Sequence, residues 1–322
     1  MPKALVIGCN GQDGTLLCAL LHKKGATVFG LDRARGDGTQ SFVRFSALDI
    51  CDLARVNDLL AEARPDQVYY LAAYHHSAEQ QKPPGEVVAR SLQVNTLGLN
   101  NVLAAIADSP SPRARVFYAA SSRVFGEPAE DVQQESTQMA PVCAYGISKA
   151  AGVHLCRYYR RQHSVYVSTG ILFNHESPLR PAHFVTKKIV RAAVRIRSGL
   201  EHELVLGNLD AQVDWGWAPD YVEAMHAILQ LDCADDFVLA TGVLHSVREI
   251  LEIAFSAVGL NWREHVVERS GVIEGRRMVR PLCGSAAKLQ AATGWQPRVS
   301  FEEMVRIMVT AEEGQSWTAF GV

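Results

Sequence analysis

The sequence has no long apolar run, no cluster of basic residues and no closely paired cysteines. Since a membrane span needs roughly 20 apolar residues, no such span is expected. The 32 Lys and Arg residues, against 34 Asp and Glu, are spread along the chain, which disfavours bulk binding to nucleic acid or to an anionic membrane. The seven cysteines form no CxxC pair, so we expect reduced thiols and no bound metal. Because a signal-peptide pattern is also lacking, the expected location is the cytoplasm.

What the chain does contain is a regular alternation of short apolar strands and helices. Strands are predicted at 4–8, 27–32, 67–73, 115–122 and 165–173, and the intervening helices include 12–24, 86–107 and 144–162. This spacing predicts a parallel sheet with right-handed crossovers. The predicted fold class is α/β, a Rossmann-like doubly wound parallel sheet with a smaller C-terminal α/β substrate lobe.

After residue 173 the alternation breaks at two prolines, which indicates a change of domain. We expect a first domain formed by 1–173 plus about 215–242. A second, smaller domain is expected to comprise about 174–214 plus 243–322.

The first strand runs into the segment GCNGQDG, which places Gly8, Gly11 and Gly14 in a GxxGxxG pattern. Between a strand and a helix, such glycines permit a tight turn, the approach of a pyrophosphate to the backbone, and close helix–strand packing. The loop therefore predicts a dinucleotide site. Five nearby residues are assigned to the same cofactor: Gln12, Asp13, Leu71, Ala72 and Ala73.

Asp32 ends the second strand, where a carboxylate binds the adenosine ribose and repels a 2′-phosphate, which favours NAD. Arg33 and Arg35 are residues that a 2′-phosphate prefers, so NADP stays possible; they are otherwise solvated loop residues. Asp49, after the next strand-like segment, is assigned to the adenine side of the cofactor, with a capping or turn role as the alternative.

Tyr145 and Lys149 form a YxxxK arrangement on one face of a predicted helix. Lys149 is placed to lower the pKa of the phenol and to hold the nicotinamide ribose, while Tyr145 exchanges a proton with a sugar hydroxyl during hydride transfer. Ser121 or Ser122, at the end of the fourth strand, could polarise the same oxygen.

These motifs resemble the extended short-chain dehydrogenase/reductases that act on nucleotide sugars. Longer strings are similar to the GDP-mannose 4,6-dehydratase family over nearly the whole chain: GCNGQDG, GILFNHESP, FVTKKI, DYVEAM, FVLATG and HSVRE. The resemblance implies an NAD(P)-dependent enzyme acting on a nucleotide-diphosphate sugar, most simply a GDP-hexose. It makes the first expected domain the dinucleotide-binding domain and the second the nucleotide-sugar-binding lobe. In that family the hexose is oxidised at C4, a Glu removes the C5 proton, water leaves C6, and hydride returns to C6.

Arg123 stands where the family has that Glu, and a guanidinium cannot accept a proton. Three interpretations follow. The enzyme stops at C4, as a 4-epimerase or 4-keto reductase, which we favour because Ser, Tyr and Lys suffice for hydride transfer. Alternatively, Glu127 or another carboxylate supplies the base and GDP-mannose is dehydrated. In the third, catalysis is lost and the chain is a cofactor-binding sensor.

Other departures from the family concern substrate and assembly. Val213 replaces an Arg expected to contact the nucleoside diphosphate, and Arg280 is a candidate diphosphate clamp. Further substrate-binding candidates, alongside Arg123, are Asn174, Val185, Lys188 and Arg191; the cations among them could instead form a solvated helix face. The loop after Asp32 is shorter than the corresponding loop of the family, and this difference favours NAD and a homodimer. His75 and His76, after the third strand, could touch substrate or be ordinary hydrogen-bonded histidines.

Overall fold

The computed structural model describes residues 1–75, 82–109, 114–269 and 280–317. Within them the strands, in chain order, are β1 (Lys3–Ile7), β2 (Thr27–Asp32), β3 (Arg44–Ala47), β4 (Gln67–Tyr70), β5 (Arg115–Ser121), β6 (Val167–Leu172), β7 (Asn174–Glu176), β8 (Leu204–Leu206), β9 (Gln212–Trp217), β10 (Asp236–Leu239), β11 (Leu244–Ser246) and β12 (Val266–Glu268). The α-helices are α1 (Gln12–Lys23), α2 (Leu53–Ala63), α3 (Pro84–Leu92), α4 (Gly98–Ala107), α5 (Ala144–Gln162), α6 (Val185–Arg197), α7 (Ala218–Ile228), α8 (Val247–Ala257), α9 (Ala287–Thr293) and α10 (Phe301–Glu312).

Seven strands form one parallel sheet in the order β10-β6-β5-β4-β1-β2-β3. The direction of winding reverses at β1, which pairs with β2 on one side and β4 on the other. Ligands of doubly wound sheets bind at this kind of switch point, beyond the carboxyl ends of the strands. The predicted α/β fold with a parallel, doubly wound sheet is therefore confirmed.

Successive side chains along the strands of the sheet pack alternately into two apolar layers, one on each face. In β5, Val116 and Tyr118 join the layer that holds residues of α4 and α5, whereas Phe117 and Ala119 join the layer that holds residues of α1 and α7. Burial on both faces explains why these strands read as nearly continuous apolar runs.

A third apolar cluster lies outside the large sheet and joins residues of α6, α8 and α10. Besides the large sheet there are two small sheets. One has the strand order β11-β9-β7, and in the other β12 pairs with β8. The division of the chain into two domains stays a prediction. None of the helices in the described ranges has the length and apolar character needed to cross a membrane.

The helix predicted over 86–107 is wrong as a single element. A π-helical segment, Gln93–Leu97, separates α3 from α4. The fully buried Asn95 in this segment accepts a hydrogen bond from Tyr74 N at 2.8 Å and donates to Ser148 Oγ at 2.9 Å. The wider turn thus lets an interior amide join the end of β4 to helix α5.

Candidate active site

The glycine loop between β1 and α1 is closely packed. Gly8 has φ +89°, and a Cβ built on it would lie 2.7 Å from Ala72 N. A Cβ on Gly14 would lie 2.1 Å from the Gly8 carbonyl oxygen and 2.7 Å from Cys9 Cα. Side chains at these positions would displace backbone, so the loop keeps its surface open beside the N-terminus of α1, as a bound pyrophosphate requires.

A cavity of about 340 Å³ opens beside this loop at the carboxyl edge of the sheet, and we call it the cofactor cleft. Its lining contains the following residues assigned from sequence: Gly8, Gly11, Gln12, Asp13, Gly14, Asp32, Arg33, Asp49, Leu71, Ala72 and Ala73. The sequence interpretation did not assign several others to the cofactor: Tyr74, His75, Arg90, Arg180 and Phe184. The shape and the glycine cradle fit a dinucleotide.

The two carboxylates assigned from sequence to the adenosine part of the cofactor both line the cofactor cleft. Asp32 accepts hydrogen bonds from Asn10 N at 3.2 Å and from Arg33 N at 2.8 Å, so the backbone fixes its position at the end of β2. Asp49 accepts a bond from Cys51 N at 3.0 Å and pairs with Arg90 at 3.5 Å. The bond from Cys51 N contributes most to holding the pKa of Asp49 low. Asp49 therefore both accepts a hydrogen bond within its own turn and lines the cofactor cleft.

Tyr145 and Lys149 lie on α5, and the Lys149 ammonium is 5.7 Å from the centre of the Tyr145 ring. Lys149 is only 1% exposed, and its Nζ donates to the Ala119 carbonyl oxygen at 2.6 Å. Burial lowers the pKa of Lys149 to about 7 and raises the pKa of Tyr145 to about 12. This corrects the expectation that Lys149 would lower the pKa of Tyr145, because removal from water dominates both groups.

The two candidate serines have different surroundings. Ser121 is hydrogen-bonded through its side chain to Tyr145, which acts to lower the pKa of the phenol against the larger effect of burial. Ser122 is buried, begins a 3-10 turn and lines the second cavity described below. Ser121 is therefore the serine placed to share an oxygen with Tyr145.

An ion pair between a buried histidine and a partly buried aspartate, which sequence reasoning missed, joins α1 to the segment after β6. His175 Nε2 lies 2.9 Å from Asp13 Oδ2, and its Nδ1 lies 2.7 Å from the Phe173 carbonyl oxygen. The carbonyl oxygen and an ionised Asp13 can only accept, so this arrangement favours a ring with hydrogen on both nitrogens, the cationic form of His175. Burial acts to lower the pKa of His175, but Asp13 outweighs it and the pKa is raised. The sequence NHES contains His175, but nothing in it indicates that Asp13 is the partner of this histidine.

The second cavity, of about 370 Å³, lies beyond Ser122 and Arg123. Asn174, Val213 and Arg280 also line it, and Arg280 donates to the Ala129 carbonyl oxygen at 2.6 Å. Three other substrate candidates, which lie on α6, are absent from the linings of both cavities: Val185, Lys188 and Arg191. The cavity thus brings together part of the predicted substrate set.

Aromatic side chains line the cofactor cleft near Tyr145. The His75 ring lies edge-on to the Tyr145 ring, with 5.1 Å between centroids, and 5.5 Å from the Phe184 ring. The Arg180 guanidinium covers Phe184 at 3.6 Å. His75 is thus next to the candidate catalytic phenol, while His76 lies outside the described residues.

Comparisons with known proteins agree with this geometry. A family model described as GDP-mannose 4,6 dehydratase matches residues 5–308. GDP-mannose 4,6 dehydratase 1 of Arabidopsis thaliana is 37% identical and aligns over 95% of this chain and 88% of its own length. The structure of RMD from Pseudomonas aeruginosa complexed with NADPH covers 98% of this chain and 99% of its own, with a TM-score of 0.78 and 25% identity. A Thermus thermophilus UDP-glucose 4-epimerase complexed with NAD shares the fold, with a TM-score of 0.83, 24% identity and coverage of 98% of this chain and 100% of its own. The resemblance inferred from sequence is confirmed: the chain is an extended short-chain dehydrogenase/reductase that belongs to the GDP-mannose 4,6-dehydratase family.

Proposed function

We propose that this protein uses a nicotinamide dinucleotide to oxidise C4 of a nucleotide-linked hexose, and that its overall reaction is the 4,6-dehydration of a GDP-hexose such as GDP-mannose. The observation that carries the proposal is the grouping of Ser121, Tyr145 and Lys149, with the Tyr145 ring 5.1 Å from the ring of His75, which lines the cofactor cleft. The family membership supports dehydration over the 4-epimerase or 4-keto reductase that we favoured from the sequence alone.

The residues of the chain divide the work of the first step. The glycine loop and the N-terminus of α1 hold the pyrophosphate, Asp32 binds the adenosine ribose, and Lys149 binds the second ribose. When bound, the cofactor accepts hydride from C4. Tyr145 takes the proton from the C4 hydroxyl, and Ser121 keeps the same oxygen in line by hydrogen bonding.

NAD is proposed over NADP because Asp32 lies in the cofactor cleft as a backbone-fixed carboxylate. GDP is proposed as the nucleotide from the family, and Arg280 and Arg123 supply cations along the second cavity for a diphosphate. The short loop after Asp32 supports a homodimer.

A second candidate function keeps the first step and omits the elimination. Arg123 lines the second cavity and stands where the sequence resemblance predicts the family's base, and its guanidinium cannot take the C5 proton. If no other group does so, the 4-keto sugar is reduced again, either as the epimer or as the starting sugar.

The test incubates purified protein with GDP-mannose and either NAD or NADP and follows product mass. Dehydration predicts loss of one water with no net change in cofactor absorbance. Tyr145→Phe is expected to reduce turnover by about 10²-fold or more, whereas Tyr158→Phe, on the exposed side of the same helix, serves as the matched control.

An epimer of unchanged mass would favour the second candidate. Cofactor binding without turnover across GDP-, UDP- and CDP-hexoses would favour the sensor interpretation and contradict the proposal. Full activity in Tyr145→Phe would remove the proposed acid–base group.

A further inference from the structure

The acidic side chains of the two linings are already engaged. In the described part of the chain they are Asp13, Asp32, Asp49, Asp210 and Asp214. Asp214, the buried acid of the second cavity, accepts four hydrogen bonds, from Thr241 N and Oγ1, Gly242 N and Gly284 N. Asp210 is bound by Arg248 at 2.8 Å. Glu127, the alternative base considered from sequence, is absent from both linings.

His75 follows the neighbouring strand, β4, and lines the cofactor cleft. Strands β4 and β5 are parallel, and Tyr70 is paired in register with Tyr118. His75 and Arg123 each follow their member of this pair by five residues. Because parallel strands end at the same edge of a sheet, a side chain after β4 can serve the site that a side chain after β5 serves in the family.

The surroundings of His75 suit contact with a sugar. Its ring is exposed in the cofactor cleft, perpendicular to the Tyr145 ring and beside Phe184. A hexose whose O4 is held by the phenol presents C4 and its neighbour C5 in this region. Imidazole changes protonation near neutral pH, which makes it the commonest general base in proteins.

We propose that His75 accepts the C5 proton during the elimination and passes it to the hydroxyl that leaves C6. The inference rests on the proposed function. The C4 ketone makes the C5 proton acidic; as the C5–H bond breaks, its electron pair forms the C5–C6 double bond and the C6–O bond breaks. The proton on the imidazole joins the leaving oxygen, so water departs and His75 is neutral again. The hydride taken from C4 then returns to C6, and a solvent proton enters at C5.

The experiment separates the two steps in the full-length enzyme. His75→Gln keeps a hydrogen-bonding side chain but cannot accept the proton, and His154→Gln, at an exposed site on α5, is the matched control. Single-turnover cofactor absorbance reports C4 oxidation of GDP-mannose, and product mass reports dehydration. Quenching of protein fluorescence by the dinucleotide verifies that each variant is folded and binds.

We expect His75→Gln to lose dehydration by about 10²-fold or more, while C4 oxidation stays within a few-fold and reduced cofactor accumulates. Incorporation of deuterium at C5 from D2O should fall in parallel. His154→Gln should match wild type.

Dehydration by His75→Gln at nearly the wild-type rate would overturn the inference and leave the proposed function standing. An equal loss of both steps would assign His75 to substrate binding and overturn its role as base. A wild-type enzyme that oxidises C4 but never releases water would overturn the proposed dehydration itself, and the inference with it.

Discussion

Replacing Lys149 by Met should make the protein more stable and less active. The Lys149 ammonium is 1% exposed and has one short hydrogen bond, to the Ala119 carbonyl oxygen at 2.6 Å. Met has a similar length and no charge, so it can fill the same space without the cost of taking a cation out of water.

The magnitude follows from the pKa of Lys149, which burial lowers from 10.5 to about 7. At about 1.4 kcal/mol per pKa unit, a charged Lys149 costs the folded state on the order of 5 kcal/mol at or below neutral pH. Losing the partner of the Ala119 carbonyl oxygen offsets about 1–3 kcal/mol of the gain. Lys149→Met should therefore stabilise the fold by about 2–4 kcal/mol at pH 6.

The pH dependence has a definite sign. Between pH 7 and 10.5 the unfolded chain keeps a proton on Lys149 that the folded chain has released. Wild-type stability should therefore rise with pH through this window, with a slope of up to about 1.4 kcal/mol per pH unit from this group, and the gain from Lys149→Met should shrink accordingly.

The assay is denaturant unfolding of wild type, Lys149→Met and the exposed-site control Lys23→Met at several pH values from 6 to 9. Turnover measured alongside should fall by about 10²-fold or more in Lys149→Met only, if this ammonium binds the ribose beside Tyr145. A Lys149→Met protein that is less stable than wild type at pH 6, or whose stability difference does not change with pH, would refute the reasoning.

Two further predictions concern the glycine loop and the buried pair beside it. Gly14→Ala places a Cβ 2.1 Å from the Gly8 carbonyl oxygen, so dinucleotide affinity should fall by at least about tenfold with a stability loss of about 1–3 kcal/mol; in Gly85→Ala, where the Cβ meets nothing within 4 Å, fluorescence titration should find affinity unchanged. Burial acts to raise the pKa of Asp13, but His175 outweighs it and lowers that pKa, so Asp13→Asn should cost about 3–5 kcal/mol in urea unfolding. The loss of stability in Asp13→Asn should be greatest between pH 3.8 and 6.5. The contribution of Asp13 is lost as pH falls, and that of His175 is lost as pH rises. A loss of stability that does not change with pH would contradict an ion pair between the two side chains.

Local patterns predicted the elements of the sheet well. The strand over 27–32 and the helix over 144–162 have the predicted bounds, because apolar periodicity acts over a few residues. The break inside 86–107 had no such signal. Residues 93–97 have ordinary helical character, and the π-helical turn follows from the distant partners of Asn95.

The electrostatics of the candidate site also could not be predicted from local sequence patterns. The YxxxK spacing placed Tyr145 and Lys149 together, as found, but the sign of their influence depends on burial by surrounding elements. Asp13 and His175 are 162 residues apart, so no local pattern could pair them. Sequence reasoning placed Tyr145 beside Lys149, whereas tertiary packing sets the direction in which the pKa of each group shifts.

Under the proposal that His75 accepts the C5 proton, the sheet explains how an arginine could stand where the family resemblance predicts a glutamate. Arg123 follows β5 and lines the second cavity, whereas His75 follows β4 and lines the cofactor cleft, where its ring lies 5.1 Å from that of Tyr145. A proton acceptor can therefore move from one strand end to the next while the backbone that holds cofactor and phenol is unchanged. Once the acceptor lies after β4, the residue after β5 no longer needs a neutral or acidic side chain, and a permanent cation there can serve an anionic substrate group.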